Sequence, residues 1–549
     1  MDWGVYSYII FGLVMYTTRL PLTTLVKPLE SDNHPETNEP TDVDMLTKII
    51  KSNKVTDNLP KTNESTDAEM VTKNITHNED DHPETNEPTD EEDIVTKILA
   101  SNKGIAQILH QGDIAVHVGR STSKCNNCKW DTSYNGRVSV PYVVSSDYNS
   151  RHLALITAAM QEYETLTCVD FVPRTNEKNA ININNGNGCW SYIGRAGGIQ
   201  EVSLSNRSCM SKGIIQHEIN HALGFVHEHV RSDRDQYVDV VMKNIAPDAV
   251  DNFAIEVTDN LGLPYDYKSV MHYGRNAFSI SPQLPTLITK PDPNIPIGQR
   301  DGLTNLDIAK INKFYKCDIC STLLSDTNGT LFSPYYSSAY PNNVNCVWLI
   351  RIPSKQVAVQ FMEFNLQDSQ NCVSNYVKIY DGATRSDPVL LDKACGSPLL
   401  PPIISTSNLM LLEFVTNAGQ KLSGFKATYS TVSCGGTYIS QSNNFSSPGY
   451  PAEYPPSTTC SWSIYAPVGS KIVLSINDID LEYGLRCMFD SLIIYDGYKT
   501  TSPILKRACG NSSVAKQVSS GRSMLLVFSS DISVQMKGFQ ASYTLKSAN

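Results

Sequence analysis

Residues 135–144, NGRVSVPYVV, alternate apolar and polar side chains, the period-two pattern of a strand. At 150–168, SRHLALITAAMQEYETLTC, the apolar positions change to helical spacing, which predicts a helix with a core-facing stripe. Residues 192–204, YIGRAGGIQEVSL, read as a glycine-bounded strand at the edge of a sheet above a cleft. After Cys317 the pattern becomes many short alternating runs in two similar units. CSTLLSDTNGTLFSPYYSSAYPNNVNCVW (320–348) parallels CGGTYISQSNNFSSPGYPAEYPPSTTCSW (434–462), and each unit closes on a G-F-x-A-x-Y strand. Short strands in that number, with four cysteines to a unit, predict β-sandwiches.

Ahead of these elements the periodicity is lost. HPETNEPTDVDMLTKIIKSNK (34–54) recurs as HPETNEPTDEEDIVTKILASNK (82–103), with a degenerate copy, LPKTNESTDAEMVTKN (59–74), between them. Each copy joins a Pro/Thr/Asn/Glu stretch to one short helix-forming run that starts near a Thr-Asp cap. Such units bury little apolar surface, so the segment from about 30 to 103 is expected to be largely disordered, as a removable prosegment or a permanent tail. It also holds the charge. Residues 31–103 carry 18 acidic and 7 basic side chains, an excess equal to the net charge of −11, and the other 38 of each sign cancel. The remainder has no basic stripe, which excludes a nucleic-acid partner.

A length of 549 residues requires three or more domains. Val5 to Tyr16 has the length of a signal-peptide core and is too short to cross a bilayer. No later stretch is apolar and long enough to span a membrane, so the product reads as released. All 14 cysteines follow residue 124, and sequons begin at Asn206, Asn328, Asn444 and Asn511. Both features indicate an oxidising, secretory route.

The chemistry gathers at 217–235, HEINHALGFVHEHVRSDRD. Four residues apart, His217 and His221 share one helix face, so both imidazoles can reach one metal ion while Glu218 projects beside them. His227 cannot follow along the same helix: ten residues at ~1.5 Å rise would put it ~15 Å away, whereas ligands ~2.0–2.1 Å from zinc nearly touch one another. The helix must stop and the chain double back. Gly224 stands where a left-handed turn does that without steric cost.

This is the H-E-x-x-H-x-x-G-x-x-H pattern of the metzincin zinc peptidases, and YDYKSVMHYG (265–274) supplies their methionine turn. With His227-Glu228 and R-x-D-R-D at 231–235, the stretch from roughly 120 to 317 resembles the astacin family. The resemblance implies an α+β peptidase domain with one catalytic zinc on His217, His221 and His227. Glu218 is then the proton carrier and Met271 packs beneath the metal. Tyr273 is implied to be an additional zinc ligand that swings away to stabilise the transition state. HQGDIAV (110–116) resembles the F-x-G-D element of astacin prosegments, with His110 in place of the aromatic residue. It gives Asp113 the role of zinc ligand in the latent form; the alternative for a Gly-Asp pair is a plain turn. Arg120 offers an activating protease a basic cleavage point, and the new terminus at Ser121 would be buried near Glu228.

The two C-terminal units resemble CUB domains, all-β sandwiches that in many cases hold calcium with acidic oxygens. Glu482, Asp490 and Asp531 occupy those positions in the second unit, with solvated loops as the alternative. In the first unit Gln367, Asn375 and Asn417 stand there, and three neutral amides should not hold the ion. The resemblances imply the pairs Cys168–Cys317, Cys189–Cys209, Cys320–Cys346, Cys372–Cys395, Cys434–Cys460 and Cys487–Cys509. A local Cys125–Cys128 bridge suits a secreted chain and the hatching-enzyme branch of astacins. The expected organisation is a signal peptide (1–20), a propeptide (21–120), the peptidase (121–319) and CUB domains at 320–432 and 433–549. The expected function is a secreted zinc endopeptidase acting on extracellular proteins. A peptidase followed by two CUB domains resembles amphibian-type hatching enzymes, which act on egg-envelope glycoproteins. The alternatives are processing of matrix or growth-factor-regulating proteins, or a noncatalytic CUB adhesion protein.

Overall fold

The computed structural model describes residues 94–116 and 128–547, except Tyr134, Arg300, Leu399, Ala418, Gln420, Lys421 and Ser512. The signal peptide, the first repeats and the Arg120–Ser121 cleavage point lie outside the described residues, as does Cys125, the expected partner of disulfide-bonded Cys128.

The last repeat copy departs from the expectation of disorder. Its helix-forming run is a helix, α1 (Ile94–Asn102), and the chain continues into two short paired strands, β1 (Leu109–His110) and β2 (Ile114–Ala115). The repeats cannot bury their own apolar side chains, but here Ile98 enters the peptidase core and Ile114 and Ala115 are buried. The Asn102 side chain fastens α1, accepting from Cys189 N at 2.7 Å and donating to Gly112 O at 2.9 Å.

The peptidase contributes strands β3 (Val138–Val144), β4 (Val169–Pro173), β5 (Ala180–Asn184), β6 (Cys189–Tyr192) and β7 (Ile199–Leu204). With β1 and β2 they form one sheet in the order β1-β2-β6-β7-β5-β3-β4. Residues 192–204 are therefore not a single edge strand. Tyr192 ends β6, and Gly194, Gly197 and Gly198 turn the chain at positive φ. Ile199–Leu204 returns as an interior strand between β6 and β5. The peptidase's own edge is β6, and β2 pairs with it in parallel, Ile114 opposite Ser191 and Ala115 opposite Tyr192.

Helix α2 (Ser150–Leu166) starts on the Asn149 side chain, which accepts from His152 N. Helix α3 (Lys212–Leu223) starts on Ser211 and is buried at every position from Gly213 to Leu223. A helix apolar or buried on all sides belongs in the middle of a fold, and α3 lies there, in the core shared with α2 and the sheet. Helix α4 (Asn305–Tyr315) begins with a capping box between Thr304 and Asp307. Disulfides Cys168–Cys317 and Cys189–Cys209 tie the ends of the domain down.

Each CUB unit is a sandwich of a five-stranded and a four-stranded sheet around its own core. The four expected bridges are present: Cys320–Cys346, Cys372–Cys395, Cys434–Cys460 and Cys487–Cys509. The first sandwich lies directly on the peptidase. Its Leu323, Val347, Leu349, Tyr380 and Leu411 are continuous with the peptidase core. Arg351 reaches Glu162 of α2, whose other oxygen takes Lys212 at 3.0 Å, and donates to Leu303 O at 2.6 Å. In the second sandwich the strand positions matching Val347, Leu349 and Arg351 are Ser461, Ser463 and Tyr465. Where the first sheet meets α2 it carries Val347 and Leu349, and its twin carries serine at both places.

Candidate active site

Helix α3 carries His217 and His221 one turn apart, and Gly224 ends it at φ 107° with its N–H donating to Asn220 O and His221 O. The chain then returns His227 to the same point. The three Nε2 atoms converge, with His217 3.2 Å from both His221 and His227. Each ring is fixed through its other nitrogen. His217 Nδ1 donates to Val270 O (2.8 Å), His221 Nδ1 to Phe225 O (2.8 Å) and His227 Nδ1 to Gln111 Oε1 (2.7 Å). With the Nδ1 protons so placed, all three Nε2 atoms present lone pairs to one another. Burial keeps His221 below its ordinary pKa and takes His227 down to about 4, so both rings are neutral.

Asp113 completes the group. Its Oδ2 lies 3.1 Å from His217 Nε2 and 3.2 Å from His227 Nε2, and its Oδ1 3.4 Å from His221 Nε2. Asp113 is fully buried, and its Oδ1 has no hydrogen-bond partner among the described residues. A buried carboxylate facing three lone pairs is repelled from every side unless a cation stands between them. Ligands ~2.0–2.1 Å from a tetrahedral zinc lie roughly 3.3 Å apart, the spacing these atoms already have. The residues fit a zinc ion, and these four buried side chains could hold it.

Glu218 sits beside this cluster with both carboxylate oxygens buried and, among the described residues, without a hydrogen-bond partner. Burial, then the charge of Asp113, pushes its pKa well above the ordinary value. Met271 is buried under the site, and its carbonyl accepts from Glu228 N at 2.9 Å. The methionine turn is held from α4, where Asp307 accepts from Ser269 Oγ and Val270 N. The Tyr273 hydroxyl donates to Gln111 O at 2.5 Å, a hold the sequence did not suggest. Glu228 accepts from Lys310 Nζ (2.6 Å), Arg231 (3.1 Å) and Asp266 N (2.9 Å). Arg234 donates to His229 O and Phe253 O, which locks the returning loop.

Three residues that sequence reasoning passed over belong here. Gln111 holds both His227 and Tyr273, and its Nε2 donates to Glu256 Oε1 at 2.5 Å. His229 stacks on the Tyr273 ring at 3.7 Å between centroids. The adjacency of Gln111 to the Gly-Asp pair and the H-E-H at 227–229 were the available signals. The turn carrying Asp113 needs its glycine: Gly112 has φ 83°, and a Cβ there would lie 2.3 Å from Leu99 Cδ2.

In the second CUB unit Glu482, Asp490 and Asp531 bring carboxylate oxygens within 4.8 Å of one another. Asp490 is fully buried, taking the Tyr454 hydroxyl and Asp531 N, while Glu482 Oε2 is buried without a partner among the described residues. In the first unit the same place is closed by amides: Asn375 Nδ2 donates to Gln367 Oε1 and Asn417 N to Asn375 Oδ1, both at 2.8 Å.

Two histidines on one helix turn, a third across a left-handed glycine, a buried glutamate between them and a methionine turn beneath define a metzincin-type peptidase. The model of the astacin peptidase family matches residues 125–316, and the CUB-domain model matches 320–429 and 434–543. Embryonic protein UVS.2 of Xenopus laevis is 50% identical over 456 residues, covering 82% of this chain and 88% of that protein. The astacin-like metalloendopeptidase of Gallus gallus is 46% identical over 342 residues, 62% of this chain and 84% of that one. Among solved structures, high choriolytic enzyme 1, a hatching-enzyme zinc protease from Oryzias latipes, has 48% identity over 36% of this chain and 98% of its own, with a TM-score of 0.35. The chain belongs to the astacin family of zinc metalloendopeptidases and carries two CUB domains behind the peptidase.

Proposed function

We propose that this endopeptidase is secreted as a latent precursor and, once its prosegment is removed, hydrolyses egg-envelope glycoproteins. The observation that carries its chemistry is the convergence of three neutral imidazoles and the Asp113 carboxylate with no proton between them. In this reading His217, His221 and His227 hold zinc, Asp113 takes the fourth place in the precursor, and Tyr273 is an additional ligand after activation. Zinc bound there supplies a Lewis acid that brings the pKa of water from about 15.7 toward about 7. Loss of the prosegment takes away the Asp113 charge, the second cause of the raised Glu218 pKa. Glu218 then accepts a proton from the attacking water and hands it to the leaving amine. The same departure frees the Tyr273 hydroxyl from Gln111 O, so that it can donate to the developing oxyanion. It also uncovers β6, whose edge can take an extended substrate by strand addition as it now takes β2. A small cavity bordered by Phe225, Glu228, Met271 and Lys310 lies beside Glu228, where this reading puts the new amino terminus after cleavage behind Arg120.

The substrate assignment is supported by the order of domains, a peptidase joined directly to two CUB units, and by a half-identical relative named an embryonic protein. The second CUB unit would hold calcium on Glu482, Asp490 and Asp531, whose oxygens suit a hard cation. The test is to incubate the activated enzyme with isolated egg envelopes and with other extracellular proteins, and to identify fragments by mass spectrometry. Discrete cleavage of envelope glycoproteins is expected. Envelopes left intact while other matrix proteins are cut would overturn the substrate assignment and leave the peptidase chemistry standing.

A further inference from the structure

Glu256 follows the short 3₁₀ turn Val250–Phe253, and its N–H donates to Val230 O at 2.8 Å, so its backbone is fastened to the chain just beyond His227. Its side chain is 35% exposed. Oε1 accepts from Gln111 Nε2 at 2.5 Å and from His110 Nε2 at 3.1 Å. Among the described residues its ion pair is with His110 alone. Among the described residues, the side-chain partners of Glu256 therefore both belong to the proposed prosegment, the part of the chain that activation would remove. Gln111 is also the residue whose Oε1 takes the His227 Nδ1 proton, so a single amide group spans the gap from a metal-site imidazole to Glu256.

We propose that in the activated enzyme Glu256 forms an acidic subsite beside the scissile bond that selects a cationic side chain, arginine or lysine, on the substrate. The proposal deepens the peptidase reading above and rests on it. A half-buried carboxylate that loses its donors is left partly desolvated and unpaired, a state costlier than either full hydration or a charge-assisted bond. His110 lies in β1 opposite Ile114 of β2, so the space that it and Gln111 vacate borders the strand position an extended substrate on β6 would take. The two present occupants have one property in common: each offers an N–H to the carboxylate. A cationic donor offers the same bond with a full charge, and an aspartate or glutamate in that place meets repulsion. In the precursor the His110 hydrogen bond holds the Glu256 carboxyl below its usual range.

The experiment uses the full-length activated enzyme and a peptide library randomised at three positions on each side of the cleaved bond, read by mass spectrometry. The expected wild-type result is enrichment of Arg and Lys at one position. With Glu256→Gln the ratio of kcat/KM for Arg over Ala at that position falls about tenfold or more, the range a charge-assisted hydrogen bond supplies. With Glu256→Arg the preference reverses toward Asp and Glu. Hydrolysis with the same positional preference in all three proteins would overturn the subsite. So would a Glu256→Gln enzyme changed only in leakage of its precursor. Failure of wild-type enzyme to cut any library member is a different result, which would overturn the underlying peptidase reading instead.

Discussion

Three imidazoles with their Nδ1 protons committed and one carboxylate with none form a site whose charges are incomplete without a cation. Asp113 is the member that arrives from the prosegment, and two further holds come from its neighbour Gln111, on His227 and on Tyr273. In the proposed function latency then has two sources at the scale of single residues: a ligand position occupied by Asp113 and the Tyr273 hydroxyl tied to a backbone carbonyl. Asp113→Ala removes the first. The precursor carrying it should cleave a quenched peptide before its prosegment is removed, measured as fluorescence release alongside a gel showing the intact chain. If that precursor stays as silent as the native one, Asp113 is not the latch. His217, Glu218, His221 and Gly224 were legible in the sequence because helix spacing and a left-handed cap are local properties. Gln111 and Glu256 were not, because a glutamine and a glutamate carry no pattern of their own and meet His227 only through the fold.

At the scale of elements, α3 is positioned by what lies behind it. Glu228, Lys310 of α4 and the loop at Asp266 form a buried charged group under the methionine turn. Burial, then the Asp307 charge, pushes Asp266 up to about 7. An unfolded aspartate has a pKa of about 3.9, so from about pH 4 to about 7 the folded form holds a proton that the unfolded chain has released. This group's stabilising effect is therefore full below pH 4 and is lost as the pH rises to 7. Asp266→Asn should lack that loss, so the difference in melting temperature between variant and wild type should grow in the variant's favour from pH 4 to 7. A constant difference across that range would contradict the assignment. The helix over 150–168 and the strand over 135–144 were legible from periodicity, whereas the true edge was not. Cys189–Tyr192 is too short to show alternation, and the glycines at 194, 197 and 198 bound a turn as readily as a strand.

For the whole molecule, the first CUB unit is continuous with the peptidase core and the second has a core of its own. The two sandwiches were legible as repeats of one fold, but not their unequal roles, because Val347 and Leu349 read as ordinary strand residues until α2 is seen against them. Calorimetry should show the peptidase and first CUB unit unfolding together, with the second as a separate transition. Calcium should raise only the latter, by ~2.7 kcal/mol at 100 times its dissociation constant, and Asp490→Asn should abolish most of that response. Three independent transitions, or none sensitive to calcium, would contradict this. Arg351→Met should lower the joint transition by roughly 3–5 kcal/mol, since it leaves Glu162 buried with one partner fewer.

The central claim, that the cluster on α3 is a hydrolytic zinc site with Glu218 as its proton carrier, has one direct measurement. Zinc content and peptide hydrolysis should be determined on the same preparation of activated Glu218→Ala enzyme. The expected result is one zinc per chain, as in wild type, with hydrolysis lower by at least about a hundredfold. Wild-type hydrolysis by a folded, zinc-loaded Glu218→Ala enzyme would contradict it.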